Sequence, residues 1–307
     1  MSTRLFPWPR QKTQTGFLAL QTGSGGLSHA EITWRNGRPA LLACVSQTDA
    51  TDPEKSWARY ANAPLSVSLV LSPGEYQLLP LDAPTVPPQE MKMAVRWRIK
   101  DLIDFPVDDA TVDVIRLDAS QADSGGKLLA VVARNQVLKR YIDLAEHARV
   151  KLSAIDIPEL AQRNLAALLE TPDRVLALLS FTPQGCLLTL TRNGELCFFR
   201  HLELNLASLA GMEAERRNAA IDRLALELQR SLDHIDRQYS QWRVERIVLA
   251  PPPAVAGMAD YLREQLYLPL EVADLAPLFE GALPDPITLG TCWFALGGAL
   301  RREEKAL

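Results

Sequence analysis

The sequence predicts a duplicated α/β fold, and three observations carry that reading. Segments with strand-like alternation interleave with segments of helical period along nearly the whole chain. Three consecutive strands open near residue 16, the last two joined by Arg35-Asn36-Gly37; three more open near residue 174, joined likewise by Arg192-Asn193-Gly194. The 307 residues are about twice the commonest domain size, which leaves room for two cores.

In chain order, 16–22, 27–34 and 39–46 read as strands, with Asn-Gly supplying the two positive-φ positions of a tight hairpin turn. Strands at 65–71 and 75–82 flank Ser72-Pro73-Gly74. A proline-dense stretch through Pro88 leads into a helix over 89–103, which stops at Phe105-Pro106 because the residue before proline is pushed out of helical space. Strands at 109–117 and 127–134, a helix at 135–149, a strand at 151–156 and a helix at 158–170 follow. The second series has strands at 174–181, 186–192 and 195–201. A long helix over 213–242 carries one apolar stripe from Ile221 to Trp242. A strand at 244–250, a helix near 254–266, a strand at 269–273 and a helix near 288–300 complete it. A three-strand meander followed by alternating helices and strands, occurring twice, describes an actin-like or sugar-kinase-like fold with helices on both faces of each sheet.

Composition excludes several function classes. Apolar residues make up 47% and charged residues 23%, ordinary globular values that exclude a disordered, collagen-like or coiled-coil chain. A net charge of −4 argues against a nucleic-acid binder, although residues 1–40 hold five basic side chains against Glu31. No apolar run reaches the ~18 residues of a membrane span, and Phe17 to Leu20 is too short for a signal-peptide core, so a cytoplasmic protein is expected. Cys44, Cys186, Cys197 and Cys292 show no CxxC and no histidine at ligand spacing, so no metal site is expected and buried thiols are. Cys186 and Cys197 flank one hairpin and are the candidate neighbours. Asp104, Asp108, Asp109 and Asp113 read as a solvated acidic loop, and His29, His147, His201 and His234 as scattered.

The middle of the chain carries a family resemblance. Pro84, Pro87-Pro88-Gln89-Glu90, Met93 to Trp97, Leu102 to Asp109 and Val112-Asp113-Val114 resemble the PilM-like proteins of type IV pilus assembly. Ala154 to Ala161 and Leu289-Gly290 with Ala295 to Arg301 are similar to that family's return into its core and its terminal helix. The pattern is most similar to the MshI branch, from mannose-sensitive haemagglutinin pilus systems. The resemblance implies a duplicated actin-like fold of ribonuclease H-like halves, related to FtsA, with a small inserted α+β subdomain. It divides the chain into a first half at 1–82, an insert at 83–150, a return at 151–172, a second half at 173–286 and a terminal helix at 287–307.

It also implies an ATP cleft, and here the sequence departs from the pattern. The first phosphate loop should hold an acid, but Thr22-Gly23-Ser24-Gly25-Gly26 has none, and no aspartate precedes Asp49. The second lacks its acid around Ser180-Phe181-Thr182-Pro183, and the glycine pair of the adenosine loop is replaced by Ala250-Pro251-Pro252-Pro253. Proline offers no N–H and fixes φ, and lost carboxylates remove Mg²⁺ ligands. Three lost charge-assisted contacts remove about 5–9 kcal/mol, against about −8 kcal/mol for micromolar binding. The loops are therefore expected to be degenerate, with no cofactor and no catalysis.

The helix at 89–103 is the candidate docking element. Met91, Val95, Ile99 and Leu102 form its core stripe, while Met93 and Trp97 fall nearly opposite beside Arg98, with Phe105 following. Exposed Trp and Arg are enriched at interface hot spots; the competing expectation is that Trp97 packs against the neighbouring core. The resemblance supplies the partner, the N-terminal cytoplasmic peptide of a PilN-like inner-membrane protein, and adds the pilus assembly ATPase as a second one. The expected location is peripheral to the inner membrane through that partner. The competing functions are an active ATPase of the same machinery or of a type II secretion platform, and a small-molecule kinase on the duplicated fold.

Overall fold

The computed structural model describes residues 16–23, 26–47, 52–117, 126–182, 185–204, 209, 211–239, 242–251 and 257–302. Strands β1 (Gly16–Gly23), β2 (Gly26–Arg35) and β3 (Arg38–Gln47) form an antiparallel meander. Two parallel strands, β4 (Ser66–Val70) and β8 (Leu152–Asp156), extend it to the order β3-β2-β1-β4-β8. The second half repeats this. Strands β9 (Val175–Thr182), β10 (Gly185–Arg192), β11 (Glu195–Leu202), β12 (Val244–Leu249) and β13 (Leu270–Val272) run in the order β11-β10-β9-β12-β13. The same strand order and sense in both sheets is the duplication, in ribonuclease H-like halves. Both Asn-Gly turns take positive φ at both positions, 50° and 79° at Asn36-Gly37 and 52° and 77° at Asn193-Gly194.

A third sheet corrects the domain boundaries read from sequence. Strand β5 (Tyr76–Asp82) pairs along its whole length with β7 (Lys127–Arg134), and β7 pairs on its other side with β6 (Ala110–Leu117). Residues 76–82 therefore belong with the insert, not with the first half. Conversely, α3 (Asn135–His147) places Tyr141 and Ala145 in one core with Leu18, Leu20, Trp57 and Leu69, so it belongs to the first half and not to the insert. The insert keeps a core of its own, in which Met91, Val95 and Ile99 of α2 (Met91–Ile99) meet Phe105, Leu128, Ala130 and Val132.

Other differences have local causes. Helix α1 (Pro53–Ala58) is absent from the sequence reading; Asp52 caps it by accepting from Lys55 N–H at 3.2 Å, with proline at the first helical position. Helix α2 ends at Ile99, which leaves Leu102 exposed and outside the buried stripe. After α4 (Pro158–Leu169), the long helix α5 (Ala214–Gln238) buries Ile221, Leu224, Leu228, Leu232 and Ile235 on the second sheet. It stops where Tyr239 and Trp242 stack at 4.0 Å. Gly257 in left-handed backbone precedes α6 (Met258–Gln265). The final helix is two, α7 (Pro286–Thr291) and α8 (Trp293–Ala299), broken at Cys292.

Helices α4 and α8 join the halves. Gln162 of α4 donates to Leu178 O at 2.8 Å and Thr189 Oγ1 at 2.9 Å, and accepts from Ser180, which ties α4 to the second sheet. Helix α8 lies on the first sheet, burying Trp293, Phe294 and Leu296 with Ala19, Ile32 and Val70. The two helices touch backbone to backbone: a Cβ on Gly297 would stand 2.1 Å from the Ala161 carbonyl oxygen. Among the described residues, no helix is long and apolar enough to cross a membrane.

Candidate functional site

The described residues that flank the loops of the expected cleft are engaged by the protein itself. Gly23 and Gly26 face each other at the turn end of the β1–β2 hairpin, and a Cβ on Gly23 would meet nothing within 4 Å. Gly25, Pro183 and Pro252 lie outside the described residues. At the neighbouring Thr22, the carbonyl accepts from Ser72 Oγ. Its hydroxyl lies 2.8 Å from Tyr141, whose own proton goes to Glu75 at 2.7 Å. Thr182 Oγ1 accepts from Gly185 N–H at 3.1 Å, closing its own turn. Ala250 is buried, and its N–H donates to Leu179 O at 2.8 Å. Pro251 is buried with its carbonyl against Gly290.

Three carboxylates converge beside these loops, and sequence reasoning missed them. Glu159, in the first turn of α4 and fully buried, accepts from the Tyr76 hydroxyl at 2.8 and 3.0 Å. Its Oε1 also lies 2.7 Å from His201 Nε2 on β11. One side chain thus joins the helix between the halves, the insert and the second sheet. Asp156, at the end of β8, pairs with Arg301 at 2.7 Å; burial pushes its carboxyl up and the guanidinium partly offsets that. Glu75 pairs with Arg140 at 2.6 Å. All three carboxylates act on Tyr76, whose hydroxyl is driven far above its ordinary range by burial and then by Glu159. The only sequence signal was an acid directly after the proline that opens a helix, which is also an ordinary helix start.

Glu159→Ala should lower stability by about 3 kcal/mol, because it strands a buried hydroxyl and the partner imidazole, while Glu159→Gln, which keeps an acceptor, should lose about 1 kcal/mol. Urea midpoints at unchanged m-value measure both. Equal losses would mean that burial alone, without the shared acceptor, sets the energy.

The outer face of α2 is the second candidate. Met93 is 67% exposed and Trp97 71% exposed, one turn apart, so Trp97 is not packed against the core. Arg96 reaches Ala110 O at 2.9 Å and Asp108 at 3.4 Å, and Lys92 pairs with Asp113 at 3.0 Å. Asp104 pairs with Arg134 at 3.3 Å, so three of the four loop acids face cations of the insert. Arg98 donates to Asp82 O at 2.8 Å, part of its capacity turned inward. Phe105 does not belong to this face. It is 8% exposed, in the insert core, under the Arg134 guanidinium at 4.1 Å from the ring centroid.

No protein-family model matches the sequence, and no curated protein matches it. Solved structures do match. The chain superimposes on a chain of the "PilM-PilN type IV pilus biogenesis complex" with a TM-score of 0.75 and 22% identity, covering 94% of this chain and 98% of that one. A Bacteroides thetaiotaomicron protein with actin-like ATPase fold gives 0.49 at 9% identity, covering 93% and 98%. The cytoplasmic domain of EpsL, an inner-membrane component of the type II secretion system of Vibrio cholerae, gives 0.48 at 12%, covering 90% and 93%. The chain therefore has the duplicated actin-like fold in its PilM-like form, over nearly its whole length.

Proposed function

We propose that the chain is a scaffold component of a type IV pilus assembly machine, of the mannose-sensitive haemagglutinin type, and that it docks a cytoplasmic peptide of a PilN-like membrane partner. The whole-length likeness to the PilM–PilN structure carries the reading. The exposed Met93–Trp97 pair supports it, since an unburied Trp on a helix held by its other face is a ready anchor. The partner brings the chain to the inner membrane, and the pilus assembly ATPase is a second partner of the same machine. Titration with the N-terminal cytoplasmic peptide of the PilN-like protein should give saturable, micromolar binding. No binding at millimolar peptide would overturn the docking role.

The nucleotide site is read as degenerate. Support comes from the Ala250 N–H committed to Leu179, the Thr22 hydroxyl and carbonyl engaged by Tyr141 and Ser72, and the carboxylates around Tyr76, which would repel a polyphosphate. Mg-ATP should give no saturable heat and no shift in Tm at millimolar concentration. A micromolar Kd would favour an active ATPase instead.

A further inference from the structure

The three sheets end in six edge strands among the described residues, and five of these carry features that keep an edge from pairing. Strand β13 is three residues long and holds Glu271, and β8 is only five long. Strand β5 has Pro80 and Asp82, and β6 has Asp113 and Arg116. Strand β11 has Glu195 and Arg200; its Cys197 lies near the turn, apart from Cys186 at the other end of the hairpin, so the thiols that spacing offers as neighbours are not. Strand β3 is different. Its first residues are covered: Glu280 N–H donates to Pro39 O at 2.8 Å, and Ala40 bridges to Glu280. A bulge at Leu42 ends that part. Beyond it, Ala43 to Gln47 pair in unbroken register with Glu31 to Leu27, with no charge and no proline among them. Among the described residues, no backbone bond leaves this run on its outer side. Leu42 is 48% exposed and Val45 41%, and α7, which lies against β3, adds the exposed Ile287.

We propose that β3 pairs with β3 of a second copy of this chain, antiparallel about a two-fold axis, so that the two first sheets become one continuous sheet. A row of unpaired N–H and C=O groups is matched best by another strand. A two-fold gives both copies the same contacts, so the run need only be complementary to itself. With the axis at its middle, Val45 meets the partner's Val45, and Ala43 meets the partner's Gln47. Because the run is uncharged, no like charges are brought face to face. Such a strand pair, with Leu42 and Ile287 beside it, buries about 1,000 Å², the small end of specific interfaces, so dimers are expected at about 10–100 μM chain. The insert leaves the first sheet between β4 and β8, at the edge away from β3. Pairing therefore leaves Met93 and Trp97 open on both copies, and the dimer presents two such faces at once.

The test is sedimentation equilibrium of the whole protein in dithiothreitol, without any peptide, alongside hydrogen exchange. The expected result is a reversible monomer–dimer equilibrium, with the outward amides of Ala43 to Gln47 exchanging more slowly as concentration rises. Val45→Lys and Val45→Glu, at an exposed position that folding tolerates, should each weaken dimerisation about tenfold or more, because like charges then stand opposite each other. Mixing the two variants should restore association as a heterodimer. Leu226→Lys, on the exposed side of α5, should change nothing. A monomer at about 1 mM chain would overturn the proposal, and so would a dimer that both charge variants keep. Protection of Ala43 to Gln47 in the monomer would assign the edge to another segment of the same chain. Protection that appears only with added PilN-like peptide would assign it to that partner. Either result overturns pairing between copies, while a failure of peptide docking alone leaves it standing.

Discussion

Gly297→Ala should lower Tm by roughly 6–12 °C, a large effect for a single methyl group. The added Cβ would sit 2.1 Å from the Ala161 carbonyl oxygen, 2.5 Å from its carbon and 3.1 Å from its Cα. All three are backbone atoms of α4, so no rotamer change relieves the clash and the helices must separate. Separation opens a core in which Trp293, Leu296 and Leu165 are fully buried, and it breaks the bond from Asn164 Nδ2 to Gly297 O at 2.9 Å. Overpacking of this kind costs about 3 kcal/mol or more, and a chain of this size loses roughly 2–4 °C per kcal/mol. Gly298→Ala is the control. Its Cβ meets Val70 Cγ2 at 2.7 Å and Ala19 Cβ at 3.1 Å, buried side-chain atoms and not helix backbone, so the expected loss is smaller, about 2 kcal/mol. Equal effects at the two positions would mean that α4 and α8 do not hold their contact in solution.

Trp97→Ala should weaken binding of the partner peptide about thirtyfold, roughly 2 kcal/mol, and leave Tm within about a degree of the parent. The two readouts separate because Trp97 is 71% exposed and contributes little to the insert core, which α2 holds through Met91, Val95 and Ile99. Met93→Ala should act in the same direction with a smaller effect, since a flexible thioether offers less rigid contact. Unchanged affinity in both variants would place the peptide on another face. Phe105→Ala should instead unsettle the insert, because its ring is in the core beneath Arg134.

The parts legible in sequence were those set by neighbours a few residues away. Alternation and the Asn-Gly turns located β2–β3 and β10–β11, and helical phase put Met93 and Trp97 opposite the buried stripe. What failed depends on distant partners. Strand β5 looks like a first-half strand because the residue opposite Tyr76 is Ala133, far downstream. Helix α3 follows the insert in sequence yet finds its core on Leu18 and Leu20. The Glu159 cluster draws Tyr76, Glu159 and His201 from three separate units, and no local spacing announces such a meeting.

The position of α8 also sets an order for assembly on the ribosome. All five strands of the second sheet, with α5 and α6, emerge between Val175 and Val272, so that half can close soon after its last strand is made. The first sheet is synthesised earlier but finished later. Its face bearing Ala19, Ile32 and Val70 stays uncovered until Trp293, Phe294 and Leu296 leave the exit tunnel. From the completion of the first sheet's strands at Asp156 until then, the older half carries an open apolar surface, the kind that recruits holding chaperones, while the second sheet is being made.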